Sequence, residues 1–287
     1  MATLRVIRRK ISSAKKIQQI TKAMYMVSAA KLRRAQQEAE STRPYGSALD
    51  DIISRVLVRT EQKDHPLLQA REGKRAELLL MTSDRGLCGA FNDNLIRSAQ
   101  LFINENRDSF ESVSLVLLGK KAIDFYKKKN LKISRQYLNP QKDVNFEKAN
   151  LIANDIIQRY LAGEMDSVHI CYPMFQSAVV QKPTTLNILP IQPKAKLQVV
   201  GVDYIYEPDP KTILDMLLPW LIRMQIFHAM LETRASELGA RMSAMDLATQ
   251  NSQEMIQSLT MKMNRARQES ITKELLDIVT GTEALKK

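Results

Sequence analysis

LLPWLIRMQIFHAMLETRASELGARMSAMDLATQNSQEMIQSLTMKMNRA, residues 217–266, decides the fold of this 287-residue chain. Steps of four and three alternately pick out Leu217, Leu221, Met224, His228, Leu231, Ala235, Leu238, Met242, Met245, Thr249, Ser252, Ile256, Leu259, Met263 and Ala266. Only His228, Thr249 and Ser252 in that series are polar. A 3.5-residue apolar repeat held this long predicts the seam of a left-handed coiled coil. At 1.5 Å per residue, a helix of about 70 residues is on the order of 100 Å long, too long for the inside of a compact domain of this mass. A one-sided seam needs a partner, and the nearest one is the other end of the same chain.

Leu4, Ile7, Ile11, Ala14, Ile17, Ile20, Met24 and Val27 recur at helical spacing, and no Gly or Pro occurs before Pro44. The first zone is therefore read as a shaft helix over 1–58, with a kink or short break at Pro44. The second shaft helix is read over 211–285. In the patch Thr249–Gln253 a register-setting polar layer is favoured over a functional swivel.

Between the two helices the periodicity changes. Strands are predicted at Leu78–Met81, Val113–Leu118, Lys132–Tyr137, Val168–Tyr172 and Val179–Ile188. Helices are predicted at Phe91–Asn106, opening on Asn92/Asp93, and at Lys120–Lys129 and Phe146–Ala162. Strands alternating with helices argue for an α/β unit with a mostly parallel sheet, set over 75–205 as an insertion between the two long helices.

The charge is just as unevenly placed. The first 37 residues carry ten basic side chains (Arg5, Arg8, Arg9, Lys10, Lys15, Lys16, Lys22, Lys31, Arg33 and Arg34) and no acidic one. Residues 38–210 are nearly balanced, 23 basic to 22 acidic, and residues 211–287 hold ten to nine, so the net +12 sits almost wholly on the first helix. Neighbouring like charges repel along a helix, so this run asks for a counter-surface. Nucleic acid, an anionic membrane surface and an acidic protein surface all fit the charge alone, with protein and nucleic acid weighted equally.

Composition narrows the classes. Apolar content of 44% and charged content of 26% are ordinary for a folded chain, and 14 Met with one Trp suit helix seams. Cys88 and Cys171 stand far apart and read as thiols in a reducing compartment. The segment Ile213–Met230 is the most apolar, but Asp215, Arg223, Gln225 and His228 interrupt it, so no membrane span is expected. The basic start lacks the apolar core of a secretory signal; a transit peptide is a rival, opposed by the basic run continuing past residue 30. Ser83–Asn92 follows a strand as nucleotide loops do, but neither it nor Gly119–Lys121 has a phosphate-binding spacing, so tight turns are the better reading. His65, His169 and His228 are scattered, no nucleophile or metal constellation appears, and catalysis by this chain alone is not expected.

Four motifs, in order, resemble the gamma subunit of the rotary F-type ATP synthase in its bacterial form. They are Ile7–Ile11 with Ile20–Ser28 and Lys31, Ser83–Gly89 with Asn92, Tyr204–Pro208, and Ala266–Gln268 with Ile271–Glu274, Asp277 and Gly281. Thr282, where the family has alanine, is a departure at the tip. The resemblance implies an α/β plus coiled-coil fold: a long antiparallel left-handed coiled coil of the terminal helices with an inserted Rossmann-like α/β domain. It implies a non-catalytic central rotor shaft, with no cofactor and no nucleic acid, one copy per complex. Its implied partners are the alpha and beta subunits, the epsilon subunit and the proton-driven ring of small membrane subunits, at the cytoplasmic face of the cell membrane.

Carried onto this sequence, Arg267, Gln268 and Thr272 fall on the family's catch for beta loops. Arg8, Arg9, Lys10, Lys22 and Met24 fall where the shaft passes an acidic collar on beta. Tyr204, Tyr206 and Glu207 fall where the domain meets the ring. The rival reading, a coiled-coil nucleic-acid-binding protein using the basic helix, leaves the C-terminal motif and the inserted domain without a purpose.

Overall fold

The computed structural model describes residues 2–60, 65–129, 131–138, 144–192, 207 and 209–284. Chain order is α1 (Ala2–Thr60), β1 (Arg75–Met81), α2 (Phe91–Glu105), β2 (Ser112–Leu118), α3 (Lys120–Tyr126), β3 (Ile133–Tyr137), α4 (Phe146–Leu161), β4 (Ser167–Phe175), β5 (Gln181–Leu189) and α5 (Pro210–Ala284). The chain divides into two compact units, 1–28 with 242–287, and 29–241. The larger unit thus takes in long stretches of both terminal helices as well as the inserted domain.

In the larger unit the strands form one sheet, ordered β3-β2-β1-β4-β5, with β1 to β4 parallel and β5 antiparallel to β4. Leu78, Leu80, Leu115, Leu117 and Cys171 on one face pack with Phe91, Leu95 and Ala99 of α2 and with Ala122, Ile123 and Tyr126 of α3. Leu79, Met81, Val116, Leu118, Val168 and Ile170 on the other face pack with α4, with Leu49, Ile53 and Val56 of α1, and with Leu214 to Met230 of α5. Burial on both faces explains why β1 and β2 read as unbroken apolar runs.

Local chemistry sets the turns. Asn145 caps α4, its side chain accepting from the Lys148 N–H at 3.0 Å. Asn92 was expected to open a helix, but α2 begins at Phe91, and Asn92 is buried instead. Its Oδ1 accepts from Ser83 N at 3.0 Å and lies 3.0 Å from Ser83 Oγ, closing the Ser83–Gly89 turn from within. Leu87 and Gly89 in that turn have φ of 65° and 57°, and Gly119, at 99°, begins the matching turn after β2. A Cβ at Gly119 would overlap the Thr82 carbonyl, so only glycine fits there.

Of the kink or short break expected at Pro44, the break does not occur: α1 runs on through the proline. The residues beyond it, Leu49, Ile53, Val56 and Leu57, are core residues of the sheet face, and that burial outweighs the hydrogen bond proline removes. α5 is long and apolar enough over one window to pass as a membrane span by composition. Leu214, Leu218, Leu221, Ile222, Ile226 and Met230 in that region are buried inside the protein.

One buried group has a solution signature. His169 lies on β4 against Phe102 and Phe110, ring centroids 4.8 and 5.6 Å away, and its Nε2 is buried without a partner. Burial pushes its pKa down to about 4, from an ordinary 6.5. The unfolded chain therefore takes up a proton below pH 6.5 that the folded chain refuses until about pH 4. The stabilisation is complete above pH 6.5 and is lost as pH falls from there toward 4. Allowing for the ring's partial exposure, about 1–2 kcal/mol should disappear over that window. Urea unfolding of wild type and His169→Phe from pH 7.5 to 4 tests this. The variant should show a shallower decline, and parallel curves would refute the assignment.

Candidate functional site

The smaller unit pairs the start of α1 with the end of α5. Its register is fixed by polar contacts: Gln18 Nε2 donates to Gln253 Oε1 at 2.5 Å, and Thr21 and Thr249 hydroxyls meet at 2.8 Å. Thr21 and Ser252 are both under a tenth exposed and Thr249 is half-buried, while the Gln18–Gln253 pair lies at the exposed edge of this polar layer. A one-residue slip would leave these groups unpaired, which supports the register-setting reading of the patch. Along α5, Met245, Ser252 and Ile256 are buried and Thr249, Leu259, Met263, Ala266 and Ser270 half-buried, following the expected seam.

The α1 seam differs from expectation. Leu4, Ile7, Ile11, Ala14, Gln18, Thr21, Met24, Tyr25 and Ser28 are buried or half-buried, so Met24 keeps its expected place, while Ile17, Ile20 and Val27 are over half exposed. The reason is phase. A strict four-and-three walk from Leu4 reaches Gln18, Thr21, Tyr25 and Ser28, and cross-helix hydrogen bonds satisfy Gln18 and Thr21. The apolar residues left out of phase, with Val6 and Met26, form an outward stripe. Walking the heptad strictly through the polar positions would have found it.

All ten basic residues of the first 37 are exposed, and among the described residues none of them forms an ion pair. Arg8, Arg9 and Lys10 are exposed on the second and third turns, Lys22 is exposed and Met24 half-buried. A surface groove of about 990 Å³ runs between the helices, lined by Val6, Arg9, Lys10, Ile17, Met255 and Lys262 among others. Cations interleaved with uncovered apolar side chains suit an acidic protein surface with some apolar relief better than a bare phosphate chain.

Arg267, Gln268 and Thr272 are exposed on α5. By the 18-to-253 register, Arg267 and Gln268 lie across from the first turn of α1, so they share one helix pair with Arg8, Arg9, Lys10, Lys22 and Met24. Beyond about residue 270 that register leaves α5 unaccompanied by α1. There Ile271, Leu275, Leu276, Ile278 and Val279 are each about half or more exposed, a tip the sequence reading did not single out. Runs of exposed aliphatics on a lone helix signal a partner surface. Glu207 is exposed just before α5, while Tyr204 and Tyr206 lie outside the described residues.

Among the described residues no cluster could hold a metal ion. His65 Nε2 lies 3.4 Å from Asp215, and His228, read as a core histidine, is half-buried 3.4 Å from the Glu232 carboxylate. A cavity of about 800 Å³ opens beside His228 between α1, the β4–β5 face and α5. The Ser83–Gly89 turn binds its own chain: Ser83 Oγ donates to Arg85 O at 2.7 Å, and Asp84 Oδ1 accepts from Lys120 N at 3.1 Å.

Comparison with known proteins agrees over the whole length. The ATP synthase family model matches residues 3–285. The ATP synthase gamma chain of Anaeromyxobacter dehalogenans (strain 2CP-C) is 48% identical over 289 residues, covering 99% of this chain and 100% of that one. The gamma chain of Geobacter sp. (strain M21) is 44% identical over 287 residues, all of both chains. Among solved structures, a chain of the Euglena gracilis mitochondrial ATP synthase, in a structure of its OSCP, F1 and c-ring, superposes with a TM-score of 0.66 at 25% identity. It covers 99% of this chain and 95% of that one. A chain of the central stalk and c-ring of the Tetrahymena thermophila mitochondrial enzyme gives 0.60 at 26% identity, covering 80% and 99%. An exposed basic shaft with a bare apolar tip, an inserted α/β domain and full-length likeness together make this chain a member of the gamma-subunit family of the F-type ATP synthases.

Proposed function

We propose that the chain is the central rotor shaft of a proton-translocating ATP synthase and is itself non-catalytic. On this reading its helix pair turns inside a ring of alpha and beta subunits and imposes successive conformations on the beta catalytic sites. The α/β domain meets the epsilon subunit and, through Tyr204, Tyr206 and Glu207, the proton-driven ring. The complex sits at the cytoplasmic face of a bacterial membrane, with one copy of the chain. The observation that carries the reading is the unit of residues 1–28 and 242–287: a register-locked helix pair whose cations and aliphatics face outward uncovered.

The physics suits a shaft. Exposed ion pairs are worth about 0–1 kcal/mol each and exchange quickly, so Arg8, Arg9, Lys10 and Lys22 attract an acidic collar without locking to it. Arg267, Gln268 and Thr272 offer directional hydrogen bonds to beta loops, which grip more firmly. The tip from Ile271 to Val279 turns in an apolar bearing.

Reconstitution tests this. The purified chain should hydrolyse no ATP, and adding it to alpha and beta subunits should yield a rotating ATPase. ATP hydrolysis by the chain alone, or no effect on its partners, would refute the reading. Gel shifts at rising salt should show no DNA or RNA binding at physiological ionic strength; salt-steep binding there would favour the nucleic-acid alternative.

A further inference from the structure

A doubly wound sheet offers a ligand crevice where its strand order reverses, beyond the carboxyl ends of the two strands flanking the reversal. Here the order β3-β2-β1-β4-β5 places that point between β1 and β4. The groups at those strand ends are Met81, the Ser83–Gly89 turn and Pro173–Phe175. Every one of them is engaged by residues 232–241 of α5. Phe175 N donates to Glu232 Oε2 at 2.8 Å, and Ser236 Oγ donates to Pro173 O at 3.2 Å. Thr233 Oγ1 lies 3.6 Å from Met81 Sδ. Arg241 NH2 donates to Gly86 O at 3.2 Å and to Glu237 Oε1 at 2.7 Å.

These contacts fall on two faces of the helix. Glu232, Ser236 and Gly239 form one stripe at i, i+4 and i+7, gripping the end of the β4–β5 hairpin. Gly239 lets the helix approach so closely that a Cβ there would stand 3.1 Å from Ala178 Cα. Thr233, Glu237 and Arg241 form a second stripe: the Thr233 hydroxyl donates to Ala229 O at 2.6 Å and only touches Met81, Glu237 holds Arg241, and Arg241 grips the turn after β1. At 100° per residue the stripes are about 130° apart around the helix. Grips on two such faces oppose turning of the helix about its axis in either direction, which one stripe alone would not do. Glu232, Thr233, Ser236 and Glu237 are all under a tenth exposed, so these bonds are shielded from water and hold their geometry. Burial pushes the Glu237 carboxyl up, and the neighbouring Arg241 guanidinium opposes that rise. α1, by contrast, meets the sheet through aliphatic Leu49, Ile53 and Val56.

We infer that the crevice where such sheets take a ligand is filled in this chain by its own shaft helix, and that Glu232, Ser236, Gly239, Glu237 and Arg241 are positioning residues fixing the angular setting of α5 against the sheet. Resting on the rotor reading, the inference makes this slot the place where torque passes between the α/β domain and α5, which continues unbroken from residue 241 to Ala284.

The test is torsional. In complexes assembled with alpha and beta subunits, a bead is attached through a cysteine introduced at exposed Lys128; both native thiols are buried. The readout is the bead's angular variance during pauses at low ATP. If each stripe supplies comparable stiffness, losing one halves the total, so Arg241→Ala should raise the variance about twofold. Arg241→Lys, which keeps the pair with Glu237 but not the guanidinium fork, should raise it less. Gly239→Ala, which alters the other stripe without touching charge, should also raise it. Arg234→Ala is the control, since Arg234 pairs with Glu38 of α1 at 3.2 Å and not with the sheet, and should leave the variance unchanged. If Arg241→Ala fails to assemble, Arg241→Lys and Gly239→Ala decide the matter. Lower yield with unchanged variance in assembled complexes would reduce the residues to a structural role and overturn the inference. A wild-type complex whose bead does not turn would refute the rotor reading instead.

Discussion

Replacing Arg159 with alanine is expected to destabilise the larger unit by about 3–5 kcal/mol, because it strands a carboxylate inside the sheet. Glu77 sits on central strand β1 with 1% exposure, and its two oxygens receive Arg159 NH1 and NH2 at 2.6 and 2.7 Å. Ser134 adds a hydrogen bond to the same carboxylate at 2.6 Å, and Asp155 holds Arg159 Nε at 2.9 Å. Removing the cation leaves Glu77 with no charge partner in a region built from Leu79, Val116 and Ile156. Two effects compete in the double variant Glu77→Leu with Arg159→Met: the pair's attraction is lost, but so is its desolvation penalty. The penalty is of similar size, so the double variant should recover most of the loss. Urea midpoints of the single and double variants decide this. A single-variant effect below about 1 kcal/mol would show that solvent reaches Glu77 despite its burial.

The second large effect is expected at the tip of the shaft. Arg267→Ala with Gln268→Ala should weaken the proposed grip on beta by about 2–4 kcal/mol, since a hydrogen bond to a charged group is worth about 1.5–3 and a neutral one about 1. That corresponds to a loss of about thirtyfold to about 900-fold in the affinity of assembly, with proton pumping falling in step. Any single neutralisation among Arg8, Arg9, Lys10 and Lys22 should change the same readouts by less than about fivefold, because exposed ion pairs are individually weak and nine other cations remain. Proton pumping by inverted vesicles carrying each variant makes the comparison. Equal damage from the Arg267/Gln268 pair and from one collar cation would contradict the division into catch and collar.

Much of the architecture was legible beforehand because period is a local property. The four-and-three walk from Leu217 located the α5 seam through Ala266, and the change from helical to alternating pattern located the inserted sheet within a few residues at each element. What misled was also local. Ile17, Ile20 and Val27 are apolar at roughly helical spacing, yet they lie out of phase with buried Ser28 and with Thr21, which Thr249 of the partner helix satisfies. Asn92 has the chemistry of a helix cap but is taken by Ser83 of the preceding turn. Pro44 has the chemistry of a breaker but lies in a helix whose continuation is clamped by the sheet.

The site divides the same way. Arg267, Gln268 and the basic run were visible because charge and motif need no partner to be read. The tip from Ile271 to Val279 was not singled out, because an apolar stripe on a helix looks the same whether it is buried or bare. Only the folded structure shows Ile271, Leu275, Leu276, Ile278 and Val279 exposed.

The sequence by itself determined the two long helices, the parallel α/β insertion, the lopsided charge and the family, since each depends on order and spacing along the chain. The tertiary structure alone decided which apolar residues face outward, which polar layer holds the register, and that α5 fills the crevice where such sheets take a ligand. Those outcomes depend on which groups from distant parts of the chain satisfy one another, and a buried hydrogen bond or an uncovered side chain has no signature until both partners are in place.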